Sequence, residues 1–303
     1  MAIEKTPFRG WPNCYRVSNG TVEFIATTDV GPRIISFGFV GGANVFFVRE
    51  DFAGQTGGAE WKNYGGHRIW HAPEDKVRTY EPDNGPIQAK VTANGLVLTM
   101  PPEALSRIQK EIEITLEPAS SRVLVVHRLR NTGPWPIELA PWAISVMAPG
   151  GFAIAPMPTA FHPDRLLPNR ALTLWPYTDM HDDRWLWGTD YILLRQKVVT
   201  GQERTKVGIN ANLGWAAYYL KPFLFIKLFT PVEGARYPDY NSSLEVFSNN
   251  RMLELETLAP LATLHPGAVV THEERWELHK DVELGFSEDD VRKVVEPLAH
   301  PKR

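Results

Sequence analysis

The sequence predicts an all-β protein, an antiparallel β-sandwich with a short C-terminal helix, and three observations carry that prediction. Apolar residues alternate at period two along short segments, as strands with one buried face require. Tight-turn signals of the hairpin kind separate the segments, where crossover helices would need longer connections. Only one stretch, close to the C-terminus, combines helical spacing with a start signal.

In chain order, the alternation runs through Val22, Phe24 and Ala26, then Ile108, Lys110, Ile112 and Ile114. It continues through Val123, Val125, His127 and Leu129, and ends with Val270, His272, Glu274, Trp276 and Leu278. Turn signals lie at PDNGP (Pro82 to Pro86), ANGL (Ala93 to Leu96), EPASS (Glu117 to Ser121) and SNNR (Ser248 to Arg251). In FSEDDVRKVVEPLA, Ser287 can cap, acidic residues fill the first turn, and Val291, Val294, Val295 and Leu298 follow at helical spacing, which predicts a helix over 287–299. Residues 156–190 hold prolines, tryptophans and charges without alternation. A long irregular segment in a compact fold is usually a binding loop or lid, so this one is a candidate site wall. No linker or fixed-period repeat interrupts the chain, and residues 1–303 are expected to form a single domain.

The 303 residues are 43% hydrophobic and 22% charged with a formal net charge of -3, the balance of an ordinary globular protein. Nothing is basic enough for a nucleic-acid groove, so no nucleic-acid partner is expected. The first residues lack an apolar run of secretory length, and no stretch is long enough for a membrane span, so no membrane partner is expected. The single Cys14 is compatible with a reducing compartment, and a cytoplasmic location is the expectation. No nucleophile elbow, dinucleotide fingerprint or phosphate-binding loop is present, so no nucleotide cofactor is expected.

Two clusters carry chemistry. The first, GGHRIWHAPEDK from Gly65 to Lys76, gathers His67, Arg68, Trp70, His71, Glu74 and Asp75. Its glycines and Pro73 argue against a helix, and Ile69 alone gives no apolar period, so it reads as a loop or strand end. The second, Met252 to Glu256, alternates, which puts Leu253 and Leu255 on one side and Glu254 and Glu256 on the other, about 7 Å apart. Two carboxylates on one face repel. They form either an ordinary solvated face or a sugar-binding concave one, where one carboxylate would have a raised pKa and act as acid or base. Trp61, Trp70, Trp175, Trp185 and Trp187 fall in segments read as loops, where each can stack on a sugar or simply pack. His67, His71 and Glu74, or Asp179, His181 and Asp183, are ligand types for a divalent metal. A four-residue histidine gap is diagnostic only on a helix, so no metal is expected. His127 and His272 alternate with apolar residues and read as sheet residues, and His265, His279 and His300 lie in a turn or the tail.

The stretch NGTVEFIATTDVGPRIISFGFVGGANVFF, the GGHRIWHAPED segment, LELETLAPLATLHPG and the closing ERWEL together resemble the galactose mutarotase-like group, which includes aldose 1-epimerases, over most of residues 13–279. The resemblance implies a β-supersandwich that holds a sugar on a concave sheet. It implies Arg68 as the binding arginine, His67 or His71 as the first histidine, and Glu256 as the general base. Epimerases carry a second histidine where this chain has NTGPWPIELAPWAISVMAPGG, which offers Trp142 instead, and His162 or His181 would have to substitute. The function this implies is aldose 1-epimerase-like isomerisation by general acid and base, with a small or oligomeric carbohydrate as partner. His71, Glu256 and His67 would carry catalysis, and Arg68, Trp70, Glu74, Asp75, Glu254, His181 and Trp185 would bind the sugar. The competing readings are a non-catalytic sugar-binding protein and a glycoside hydrolase or polysaccharide lyase on the same fold.

Overall fold

The computed structural model describes residues 1–159, 163–164 and 166–299. Two antiparallel sheets stack face to face, as the alternation predicts. Among the described residues the first sheet has eleven strands. Its order is Ala2–Phe8, Trp11–Ser18, Val22–Thr27, Arg33–Phe39, His67–Ala72, Ile137–Met147, Leu253–Leu258, Leu244–Ser248, Thr205–Ile209 and Leu172–Leu174, with Ala262–Leu264 pairing on Ile137–Met147. The second sheet has ten, in the order Trp185–Trp187, Tyr191–Arg195, Phe152–Pro156, Trp215–Leu220, Phe223–Phe229, Val269–His279, Arg122–Asn131, Ile108–Leu116, Gly95–Thr99 and Gln88–Val91.

Period two sets the burial. Along Ile108–Leu116 every second residue is buried and the others are half-buried, so one edge of the pleat faces the opposite sheet. Apolar side chains from both inner faces meet there, and Phe46 stands edge-on to Trp276 at 5.5 Å and to Phe225 at 5.8 Å. Three of the four turn signals join paired strands: ANGL, EPASS and SNNR. Gly95 in ANGL is required, because a Cβ there would come within 1.8 Å of the Ile114 carbonyl oxygen. PDNGP is not a hairpin. It connects the two sheets, and its Asp83 accepts a hydrogen bond from the buried Arg33 at 2.8 Å.

The expected C-terminal helix is present as Glu288–Asp290, a π turn over Val291–Val295, and Glu296–Ala299. Ser287 Oγ accepts from the Asp290 N–H at 3.2 Å, the capping its position predicts. Val291, Val295 and Ala299 pack on Trp215 and Ile226, so this segment covers the outer face of the second sheet. Among the described residues no helix is long and apolar enough to cross a membrane.

Candidate functional site

The segment read as a loop or strand end is an interior strand. His67–Ala72 pairs with Arg33–Phe39 on one side and Ile137–Met147 on the other, and all six residues are buried. The glycines that argue against regular structure lead into it: Gly65 and Gly66 have φ of 86° and 71°, and a Cβ at either would strike the carbonyl oxygens of Phe47 or Ile34. Pro73 lies just past the strand, after a cis peptide bond.

Strand geometry then splits the cluster. Ile69 joins the core between the sheets, whereas Trp70 and Ala72 pack with Trp142 on the outer face. His67 and His71 share the side of Ile69, and Arg68 shares that of Trp70. His67 and His71 therefore do not converge with Arg68 and Glu256 in one cleft, contrary to the sequence expectation.

Between the sheets the two histidines belong to buried polar networks, although His71 Nδ1 has no hydrogen-bond partner among the described residues. The His67 ring contacts Ser145 Oγ at 2.9 Å and His127 Nε2 at 2.7 Å, and His127 Nδ1 lies 3.0 Å from the His272 carbonyl. Glu274 accepts from Trp276 Nε1 at 2.8 Å and pairs with Lys227 at 3.0 Å. Burial holds the His67, His127 and His272 pKa values down, His272 to about 3. Burial pushes Glu274 up, but Lys227 and the three imidazoles outweigh it and hold the carboxyl well below its usual range. Ligand atoms of His67, His127 and Glu274 lie within 4.8 Å of one another. The Lys227 ammonium already supplies the positive charge that a divalent ion would bring there. His71 contacts Glu103 at 3.3 Å beside Lys110, a second buried ion pair.

The outer face has a different character. Ile144 lies opposite both Arg68 and Glu256, and Glu245 lies opposite Glu256, so one row across four strands carries Arg68, Glu256 and Glu245. The expected partition of Leu253 and Leu255 from Glu254 and Glu256 holds, with the leucines in the core. The repulsion between the carboxylates is relieved by cations on neighbouring strands. Arg68 Nη2 donates to Glu254 Oε1 at 3.1 Å. Lys206 Nζ lies 2.6 Å from Glu245 and 3.0 Å from Glu256, and Trp142 Nε1 donates to Glu256 Oε2 at 2.7 Å. Burial pulls the Lys206 pKa down, but the two carboxylates outweigh it and hold the ammonium charged. Burial raises Glu256, with Lys206 opposing and Glu254 adding to the rise.

Aromatic rings frame these charges. The Arg68 guanidinium lies 4.5 Å from the Trp70 ring centroid and 5.3 Å from that of Trp61, and Lys206 lies over Trp142 and Trp175 at 4.8 and 4.5 Å. Tyr80 closes on Trp61 and Trp70, and Tyr177 meets Phe247 edge-on. Together they line a cavity of about 390 Å³, the size of small-ligand clefts. Arg68 Nε and Nη1, and the indole nitrogens of Trp61 and Trp70, are buried with no hydrogen-bond partner among the described residues. So is Glu256 Oε1. Buried polar groups are nearly always paired, so the orphans at this cavity call for water or a ligand as partner.

The other expected site residues divide. Glu74 reaches the rim, where it accepts from Tyr80 OH. Asp75 instead closes a turn, its Oδ1 accepting from the Val77 and Arg78 N–H groups at 2.9 and 2.8 Å. His181 is 98% exposed beside Asp179, away from the cavity lining. Trp185 is a strand residue between the sheets, donating to Thr205 Oγ1 at 2.9 Å and stacked on Trp187. His162 lies outside the described residues. Of residues 156–190, Trp175 and Tyr177 do form part of the wall. Lys206, Arg204, Tyr80 and Glu245 escape the sequence reading. For Lys206 a signal exists: it alternates against Val207 in TKVGI, and two glutamates on one face require a cation.

No family model matches the sequence, and no curated protein matches it. Solved structures do. A TPR-domain containing protein from Parabacteroides distasonis superposes with a TM-score of 0.61 at 13% identity over 90% of this chain and 48% of its own, so this chain spans about half of that protein. A galactose mutarotase-like protein from Lactobacillus casei gives 0.56 at 9% identity, covering 88% of this chain and all of its own. A galactose mutarotase related enzyme from Lactobacillus acidophilus gives 0.58 at 8% identity, covering 89% and 98%. The fold is thus the galactose mutarotase-like β-sandwich. At these identities the likeness is one of fold alone.

Proposed function

We propose that the outer face of the first sheet binds a carbohydrate. The observation that carries this reading is Arg68, packed against the touching rings of Trp61 and Trp70 with its Nε and Nη1 unpaired beside their unpaired indole N–H groups. Indole faces suit the C–H face of a sugar ring, and convergent donors suit its hydroxyl oxygens. Calorimetric titration of the protein with a panel of aldoses and oligosaccharides tests it. Saturable heat that Trp61→Ala weakens is the expected result, and no heat from any sugar overturns the reading.

A second reading, anomer interconversion, is favoured by Glu256. Its Oε1 is unpaired while Trp142 and Lys206 hold Oε2, but the side chain is fully buried outside the cavity lining, so acting as a base for an anomeric hydroxyl requires Lys206 to move aside. No histidine lines this cavity among the described residues, so protonation of the ring oxygen would fall to another group. Polarimetry of mutarotation decides: a wild-type rate above solvent that Glu256→Gln lowers about 10²-fold supports isomerase action. A rate equal to that of solvent leaves binding alone. Hydrolysis is disfavoured because Glu254 and Glu256 alternate on one strand and do not flank a bond.

A further inference from the structure

We infer that the cavity selects an acidic sugar, one carrying a carboxylate such as a hexuronic acid; this rests on the carbohydrate reading above. Four cationic side chains line it, Arg49, Arg68, Arg204 and Lys206, against two carboxylates, Glu74 and Glu254. Lys206 is engaged by Glu245 and Glu256, which lie beneath it. Arg68 gives only one of its nitrogens, Nη2, to Glu254. Its Nε and Nη1 remain unpaired although the side chain is 2% exposed.

Among the residues that line this cavity the unpaired buried groups are donors: two on Arg68 and one each on Trp61 and Trp70, with Arg49 Nε 3.6 Å from Asp51. A neutral sugar offers hydroxyls that donate as well as accept, and would leave this surplus of donors only partly answered. A carboxylate brings two oxygens and no proton, and its planar geometry fits the edge of a guanidinium. The Trp61 and Trp70 rings beside the Arg68 guanidinium limit the approach to that edge. Arg204, packed over Tyr177 at 5.2 Å on the exposed side of the cavity, adds positive charge where the ligand enters.

Calorimetry with galacturonate and glucuronate beside galactose and glucose, at low and moderate salt, tests the inference. A charge-assisted pair is stronger than the neutral hydrogen bond it replaces, so a uronate is expected to bind at least about tenfold more tightly than its parent aldose. Arg68→Gln should abolish that preference, weakening the uronate at least about tenfold more than the neutral sugar. If Arg68→Gln fails to fold by circular dichroism, Arg204→Gln on the exposed rim is read instead, and a reduced preference with a shallower salt dependence is expected. Equal affinity for uronate and aldose overturns the inference and leaves carbohydrate binding standing. Tighter binding of galactose 6-phosphate than of galacturonate also overturns it, in favour of a phosphate ester. Failure of every sugar to bind ends both readings.

Discussion

Lys206 Nζ lies 3.0 Å from Glu256 Oε2, and both side chains are almost wholly withdrawn from water. With Glu245 at 2.6 Å on the same ammonium, one buried cation serves two buried anions. Such an arrangement adds little net stability over an apolar substitute, but breaking it strands a charge.

Lys206→Met is therefore expected to destabilise the fold by about 3–5 kcal/mol, read from urea unfolding at pH 7. Adding Glu256→Gln and Glu245→Gln to that variant should recover part of the loss. A single variant as stable as wild type would show that the carboxylates are relieved by some other means.

His67 makes its contacts between the sheets, so its loss should act on stability and not on ligand affinity. His67→Phe leaves Ser145 Oγ and His127 Nε2 without their partner, a loss of about 1–3 kcal/mol. Sugar affinity measured on the folded variant should stay within about twofold of wild type, where one rotamer-scale energy difference would suffice to shift it. A large fall in affinity at unchanged stability would place His67 in the binding machinery.

The buried imidazoles set a pH dependence. His272 is held down to about 3 by burial, so between that value and its ordinary 6.5 the unfolded chain binds a proton that the folded one does not. Stability then rises with pH through this window and falls on acidification below about 6.5. Glu245 and Glu256, raised by burial, work with the opposite sign above 4.5, so the measurement is a difference. Urea midpoints between pH 4.5 and 7 should fall less steeply on acidification for His272→Gln than for wild type. Parallel slopes would mean that His272 titrates normally in the folded protein.

Trp61 is half-buried and stands at the cavity wall, outside the core between the sheets. Trp61→Ala should leave the thermal midpoint within a few degrees of wild type and weaken sugar binding by about tenfold, the scale of one aromatic contact.

The architecture was legible because period two and turn chemistry are local. Ser287 caps the helix it predicts, and Leu253 and Leu255 face the core as their alternation requires. The cluster at 65–75 misleads for a physical reason. Gly65, Gly66 and Pro73 are turn formers by preference, but here they flank a strand whose neighbours come too close for a Cβ. Once the segment is a strand, His67 and Arg68 must face opposite ways, and a motif that looks like one site becomes half of two. Asp75 and His181 look equally functional in sequence and prove to be a turn cap and a solvated side chain. Glu245 carries no motif and Lys206 only its alternation in TKVGI, since only pairing between distant strands brings them to Glu256.

The Arg68 and Glu254 pair spans 186 positions of the chain. Closing a loop of that length precedes any gain from the contact, so the binding face cannot exist in a nascent or truncated chain that lacks Leu253–Leu258. If this face binds the proposed sugar, a saturating ligand should slow global unfolding and protect both His67–Ala72 and Leu253–Leu258 from amide exchange in concert.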